Sequence, residues 1–129
     1  MALLLIKNIG GVDELWSAGF NSKGALGSGE NVQNKSVFSR IAYDANAIRF
    51  VDIDLYQDHA AAVTEDGYLY QWGFNGFGRC GIRDRDKNMF PPQIWEPKKV
   101  EYFNEYHVRQ AAVGLGHTVV LVSPRAHMA

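Results

Sequence analysis

From Phe50 the chain reads FVDIDLYQ, in which Val51, Ile53 and Leu55 alternate with Asp52 and Asp54. A period of two sets apolar side chains on one face and carboxylates on the other, and predicts a half-buried β-strand. Ala60 to Val63 and Thr118 to Val122 form nearly unbroken apolar runs. They predict strands covered on both faces, with small side chains where the space is tightest. Between Val63 and Tyr68 stands TEDG. Asp66-Gly67 between apolar runs predicts an antiparallel hairpin with a type I′ turn, whose two central residues need φ > 0. No window sustains apolar residues at i, i+3, i+4 and i+7, so the chain is expected to be all-β. The opening ALLLI gives way to Lys7 after too few residues for a signal-peptide core of about 7–15 or a membrane span of about 20. It is read as a strand, and no membrane association is expected.

The pattern is written twice. LWSAGFNSKGALG from Leu15 and LYQWGFNGFGRCG from Leu69 share six of thirteen positions at an offset of 54. The identities are Leu15 with Leu69, Gly19 with Gly73, Phe20 with Phe74, Asn21 with Asn75, Gly24 with Gly78, and Gly27 with Gly81. Most are turn formers, so the repeated object is a backbone shape at the end of a strand. A second pair of segments superimposes when His59 is laid on His117, now at an offset of 58, which puts the extra length in the intervening loop. Self-similarity at this period signals a repeat architecture, with about four short strands in each unit.

The order strand, G-F-N-x-x-G-x-x-G, variable loop, then His with small apolar residues and TEDG resembles the repeat of the regulator of chromosome condensation family. The resemblance covers Leu15 to Val122 as two repeats. Gly114 and Thr118 keep the family pattern, whereas Tyr56 and Ala60 depart from its Gly and Ser or Thr. It implies antiparallel β-propeller blades, about two of four strands each, in a ring that needs about 4–8 blades to close. Residues 1–14 are then expected to carry the last strand of a preceding repeat, 15–67 the first repeat, 68–122 the second, and 123–129 a tail. Two repeats cannot close a ring, so the chain is expected to be a segment of a longer propeller or, less favoured, to assemble with other copies.

Charge and chemistry narrow the function. A net charge of −1 over 129 residues gives no basic footprint for nucleic acid. Cys80 is the single cysteine, which excludes an internal disulfide and a Cys-rich metal site and fits either a reducing compartment or a chain that does not depend on redox; an intracellular location, cytoplasmic or nuclear, is expected. The histidines at 59, 107, 117 and 127 lack short metal-ligand spacing. Asp84, Asp86 and Asn88 begin like a calcium loop, but Met89 and Trp95 occupy the positions that need Gly and Glu. GSGEN at Gly27 and GLGHT at Gly114 lack the third glycine and the strand-to-helix setting of a dinucleotide site. Asn34-Lys35-Ser36 is a glycosylation sequon without effect unless the chain is secreted.

No catalytic, metal or cofactor residue is therefore expected. Gly19, Asn21, Gly24, Gly27, His59, Gly73, Asn75, Gly78, Gly81, Gly114 and His117 are read as structural repeat positions. In the family's founding member, an exchange factor for a small nuclear GTPase, the matching histidines lie on the GTPase face; closing a turn is the favoured reading for His59 and His117. Met89, Phe90 and Trp95, among Pro91, Pro92 and Pro97, form a candidate partner-contact patch. The expected function is a non-catalytic protein-interaction scaffold, and the alternative is part of a guanine nucleotide exchange factor. The expected partners are remaining blades, other copies, or a small GTPase.

Overall fold

The computed structural model describes residues 2–7, 11–82 and 91–125. Nine strands follow in order: β1 (Ala2–Ile6), β2 (Glu14–Gly19), β3 (Lys35–Arg40), β4 (Phe50–Tyr56), β5 (His59–Thr64), β6 (Leu69–Phe74), β7 (Gln93–Lys99), β8 (Tyr106–Val113) and β9 (Thr118–Pro124). All pairings are antiparallel. Two short 3-10 turns, Gly76–Gly78 and Glu101–Phe103, are the helical elements among the described residues, and no helix there is long and apolar enough to cross a membrane.

The strands divide into sheets of three, four and two, in the orders β1-β2-β3, β4-β5-β6-β7 and β8-β9. The all-β architecture is as the alternation predicts, but repeats and sheets are out of phase. The central sheet takes β4 and β5 from the first repeat and β6 and β7 from the second. The hairpin at Thr64–Tyr68 is the reason, since it staples the end of one repeat to the start of the next. Its turn differs from the expected type I′. Gly67 has φ +87°, while Asp66 is not among the residues with positive φ. Gly67 N–H donates to Thr64 O at 3.0 Å, and Thr64 Oγ1 both donates to Asp66 Oδ1 at 2.5 Å and accepts from Tyr68 N–H at 2.8 Å. The threonine side chain ties a longer turn in which one glycine suffices.

All six residues of β5 are buried, between β4 and β6 within the sheet and against β8 of the next. Ala60, Ala61 and Ala62 are small enough to let the two sheets close over them. Around them pack Leu15, Ile41, Phe50, Val63, Leu69, Trp72, Val100 and Val108. Phe50 takes Tyr43 and Tyr70 on its ring at centroid distances of 5.1 and 5.4 Å. The polar half of the β4 alternation does a separate job. Asp54 Oδ2 accepts Val113 N–H at 2.8 Å and Asp52 Oδ2 accepts Ala111 N–H at 3.5 Å, so carboxylates of one sheet hold the backbone of β8 in the next. At the other end of the chain, β9 runs on to Pro124, beyond the expected start of a tail. Arg125 then bonds the carbonyls of Asn104, Asp66, Gly67 and Tyr106. Those acceptors explain why the strand continues.

Candidate functional site

The two motif copies build the same object. In each, the chain leaves a strand through a glycine at positive φ, +126° at Gly19 and +107° at Gly73. It then winds through two successive turns: Gly24 N–H to Asn21 O and Gly27 N–H to Gly24 O, matched by Gly78 to Asn75 and Gly81 to Gly78. The asparagine side chain holds the coil from inside. Asn21 Nδ2 donates to Gly29 O and Val32 O, and Asn75 Nδ2 donates to Ile82 O and Pro91 O, all between 2.8 and 3.0 Å. A polar residue on the strand closes the far end. Ser17 Oγ donates to Leu26 O, and Gln71 Nε2 to Cys80 O, again 54 residues apart. Sequence comparison had no sign of this last pair, because Ser and Gln differ in type and agree only in the bond they make.

His59 and His117, alike in sequence, sit differently. His59 is fully buried, with Nε2 3.2 Å from Thr118 Oγ1. That hydroxyl donates to Gln71 Oε1 at 2.7 Å, so a relay runs from β5 through β9 to the loop carbonyl of Cys80. His117 is exposed, its carbonyl accepting Gly114 N–H at 2.9 Å. The difference is cover: β8 packs on β5 and Thr118 at the head of β9 meets the His59 ring, and among the described residues no further sheet lies over His117.

Burial, and then the Arg79 guanidinium, pull the His59 pKa below its ordinary value of 6.5. The ring is therefore neutral in the fold and gains a proton more readily in the unfolded chain. Stability should be constant above 6.5 and fall as pH drops from there toward the folded value, where the loss levels off. His59→Gln should flatten that part of the profile in denaturant titrations; an unchanged slope would remove His59 as its source. Cys80 is sealed too, its thiol pushed up to about 12 chiefly by burial. Neither group is presented to solvent as a nucleophile or base. Among the described residues no three His, Cys, Asp or Glu side chains gather as metal ligands.

β4 and β6 end on the same side because each pairs antiparallel with β5; β8 runs the same way as β4, since Asp52 meets Ala111 and Asp54 meets Val113; and the loop that leaves β2 lies there too, with Gly24 against Ile94 and Trp95 beside the end of β6. There Phe20, Leu115 and Tyr56 are exposed by 71%, 58% and 45%. Phe74, the partner of Phe20 in the repeat, is half-buried between Lys23 Nζ at 4.9 Å and the Arg79 guanidinium at 4.5 Å from its ring. Trp95 of the expected contact patch is half-buried in β7. It packs on Gly24, and its carbonyl accepts Gly29 N–H at 3.0 Å. Met89 and Phe90 lie outside the described residues.

Models of the Regulator of chromosome condensation (RCC1) repeat match residues 66–121 and 50–79, together more than half of the chain. The X-linked retinitis pigmentosa GTPase regulator of Mus musculus is 29% identical over 99 residues, which are 77% of this chain and 10% of that protein. Human WBSCR16 superimposes with a TM-score of 0.69 at 26% identity, over 84% of this chain and 26% of the other. Prp20p from Saccharomyces cerevisiae superimposes with a TM-score of 0.62 at 19% identity, over 91% and 28%, a likeness of fold. The chain thus spans a tenth of the curated relative and about a quarter of each solved chain.

Proposed function

Because the chain belongs to the regulator of chromosome condensation repeat family, we propose that it is a non-catalytic scaffold, a stretch of β-propeller that meets a protein partner through its strand ends. The observation that carries this reading is the exposure of Phe20, Tyr56 and Leu115 on the side where the motif loops are held rigid by buried asparagines. Aromatic and aliphatic side chains on fixed loops are the usual anchors of a protein interface. In this reading the Gly, Asn and His repeat positions hold the surface, and the partner touches their neighbours.

Two relatives favour a second reading, a segment of an exchange factor: one is named as a GTPase regulator, and Prp20p is described with binding properties to Gsp1p and histones. The two readings separate in one assay. Release of a fluorescent GDP from a small nuclear GTPase should stay within about twofold of the spontaneous rate in excess chain; an acceleration of about tenfold or more would replace the scaffold by the exchange factor. On the scaffold reading, Phe20→Asp with Tyr56→Asp should abolish capture of the partner by the chain while leaving its β-sheet circular dichroism intact. Undiminished capture would move the interface elsewhere.

A further inference from the structure

Of the eight asparagines in the chain, Asn75 alone is followed by glycine. That pair is self-reactive: a glycine nitrogen has no side chain beside it and its backbone turns freely, so it can attack the amide carbon of the asparagine before it. The fold blocks the attack in two ways. The Asn75 amide is held by Ile82 O, Pro91 O and Cys80 N–H in a place that is 1% exposed. The Asn75 backbone, at φ −110° and ψ +18°, sets Gly76 N nearly in line with Asn75 N and so away from Cβ, whereas closing a five-membered ring needs it beside Cβ.

Packing explains why glycine follows Asn75. A Cβ on Gly76 would drive into the Phe74 ring, and the Arg79 guanidinium, 4.5 Å from that ring, also donates from Nε to Gly76 O at 3.0 Å. The first motif copy shows the alternative. There Phe20 is 71% exposed instead of folded inward, and the residue after Asn21 is Ser22. The catch on Asn75 sits at the rim: Phe74, Gly76 and Arg79 are half-buried, above strands that are sealed. A rim of this kind opens more readily than the sheet beneath it.

We infer that Asn75-Gly76 is a self-modification site, gated by local opening of the coil from Phe74 to Cys80. When the coil opens, Gly76 N bonds to Asn75 Cγ, the Cγ–Nδ2 bond breaks, and ammonia leaves with the proton from Gly76 N–H. Water then opens the succinimide ring at either carbonyl and gives aspartate or isoaspartate. Neither product rebuilds the coil. The N–H groups for Ile82 O and Pro91 O are gone, a carboxylate faces those two carbonyl oxygens, and isoaspartate adds a methylene to the main chain. An opening that was reversible thus becomes a covalent record. The site is separate from the Phe20 and Tyr56 side and stands whether or not the scaffold reading does.

The test ages the whole chain at mildly alkaline pH, folded and in urea above its unfolding midpoint, and follows the amide-to-acid mass gain at Asn75 and Asn21 by peptide mass spectrometry. In urea Asn75 should react about tenfold faster than Asn21, because Ser22 shields the nitrogen that Gly76 leaves open. Folding should slow Asn75 by about a hundredfold, since the rate then follows the fraction of open coil. Arg79→Ala frees the ring and Gly76 O, and should raise the folded-state rate at Asn75 about tenfold with no change at Asn21. No product at Asn75 in urea would overturn the chemistry, and equal rates in the folded and unfolded chain would overturn the gate. A parallel rise at both asparagines in Arg79→Ala, or no rise at either, would overturn local opening at this coil. Asn75→Asp should lower the urea midpoint; an unchanged midpoint would mean that the product refolds and no record is kept.

Discussion

Gly73→Ala is expected to destabilise the chain by about 4 kcal/mol or more, enough to leave little folded protein. A Cβ at this position would lie 2.3 Å from Asp58 O and 2.8 Å from His59 Cα, and the residue holds φ +107°. Both neighbours are backbone, pinned by Phe74 N–H donating to Asp58 O at 2.8 Å, so neither can swing aside. Gly29→Ala provides the control. It has nearly the same φ, +106°, but its Cβ would find nothing nearer than 3.9 Å. That variant should lose about 1–2 kcal/mol, the strain of an L residue at positive φ without a clash. Urea midpoints of the two variants measure the contact with φ held constant. Equal losses would mean that strain alone sets the requirement for glycine at 73.

Asn75→Ala should cost about 3–5 kcal/mol. The side chain donates to Ile82 O and Pro91 O and accepts Cys80 N–H at 2.9 Å, and the residue is 1% exposed. Alanine would strand three backbone groups, each worth about 1–3 kcal/mol when buried without a partner. Asn21→Ala should cost less, because Asn21 Oδ1 has no hydrogen-bond partner among the described residues and two backbone acceptors remain to be stranded. The order of the two urea midpoints decides the point. If Asn21→Ala proves the more damaging, the oxygen of Asn75 is not holding Cys80.

Much of this was legible in the residues. Alternation at Val51–Leu55, the small run at Ala60–Val63 and the two copies of G-F-N-x-x-G-x-x-G report periodicity and φ, which local sequence encodes directly. The hairpin at Asp66-Gly67 was legible as a reversal but not as a turn type, because Thr64 supplied side-chain bonds that a dipeptide rule does not weigh. The partition into sheets was hidden for a different reason: a repeat in sequence marks where similarity restarts, not where hydrogen bonding is interrupted. His59 and His117 were indistinguishable as letters, and the presence or absence of a covering strand separates them. Trp72 went unsingled because its partner, Ala25 O, is a main-chain atom 47 residues away. Nothing in the letters at 25 announces it.

The phase offset between repeat and sheet bears on where such a chain can be cut. Up to Gly67 the chain contains β4 and β5, and the second edge of β5 finds its partner, β6, only in residues that follow. The central sheet closes once β6 and β7 follow. The stretch that recurs in the sequence is therefore not the stretch that shares one set of sheet hydrogen bonds. A break in the backbone near Gly67 would therefore part β5 from β6 in the middle of one sheet rather than separate two finished ones.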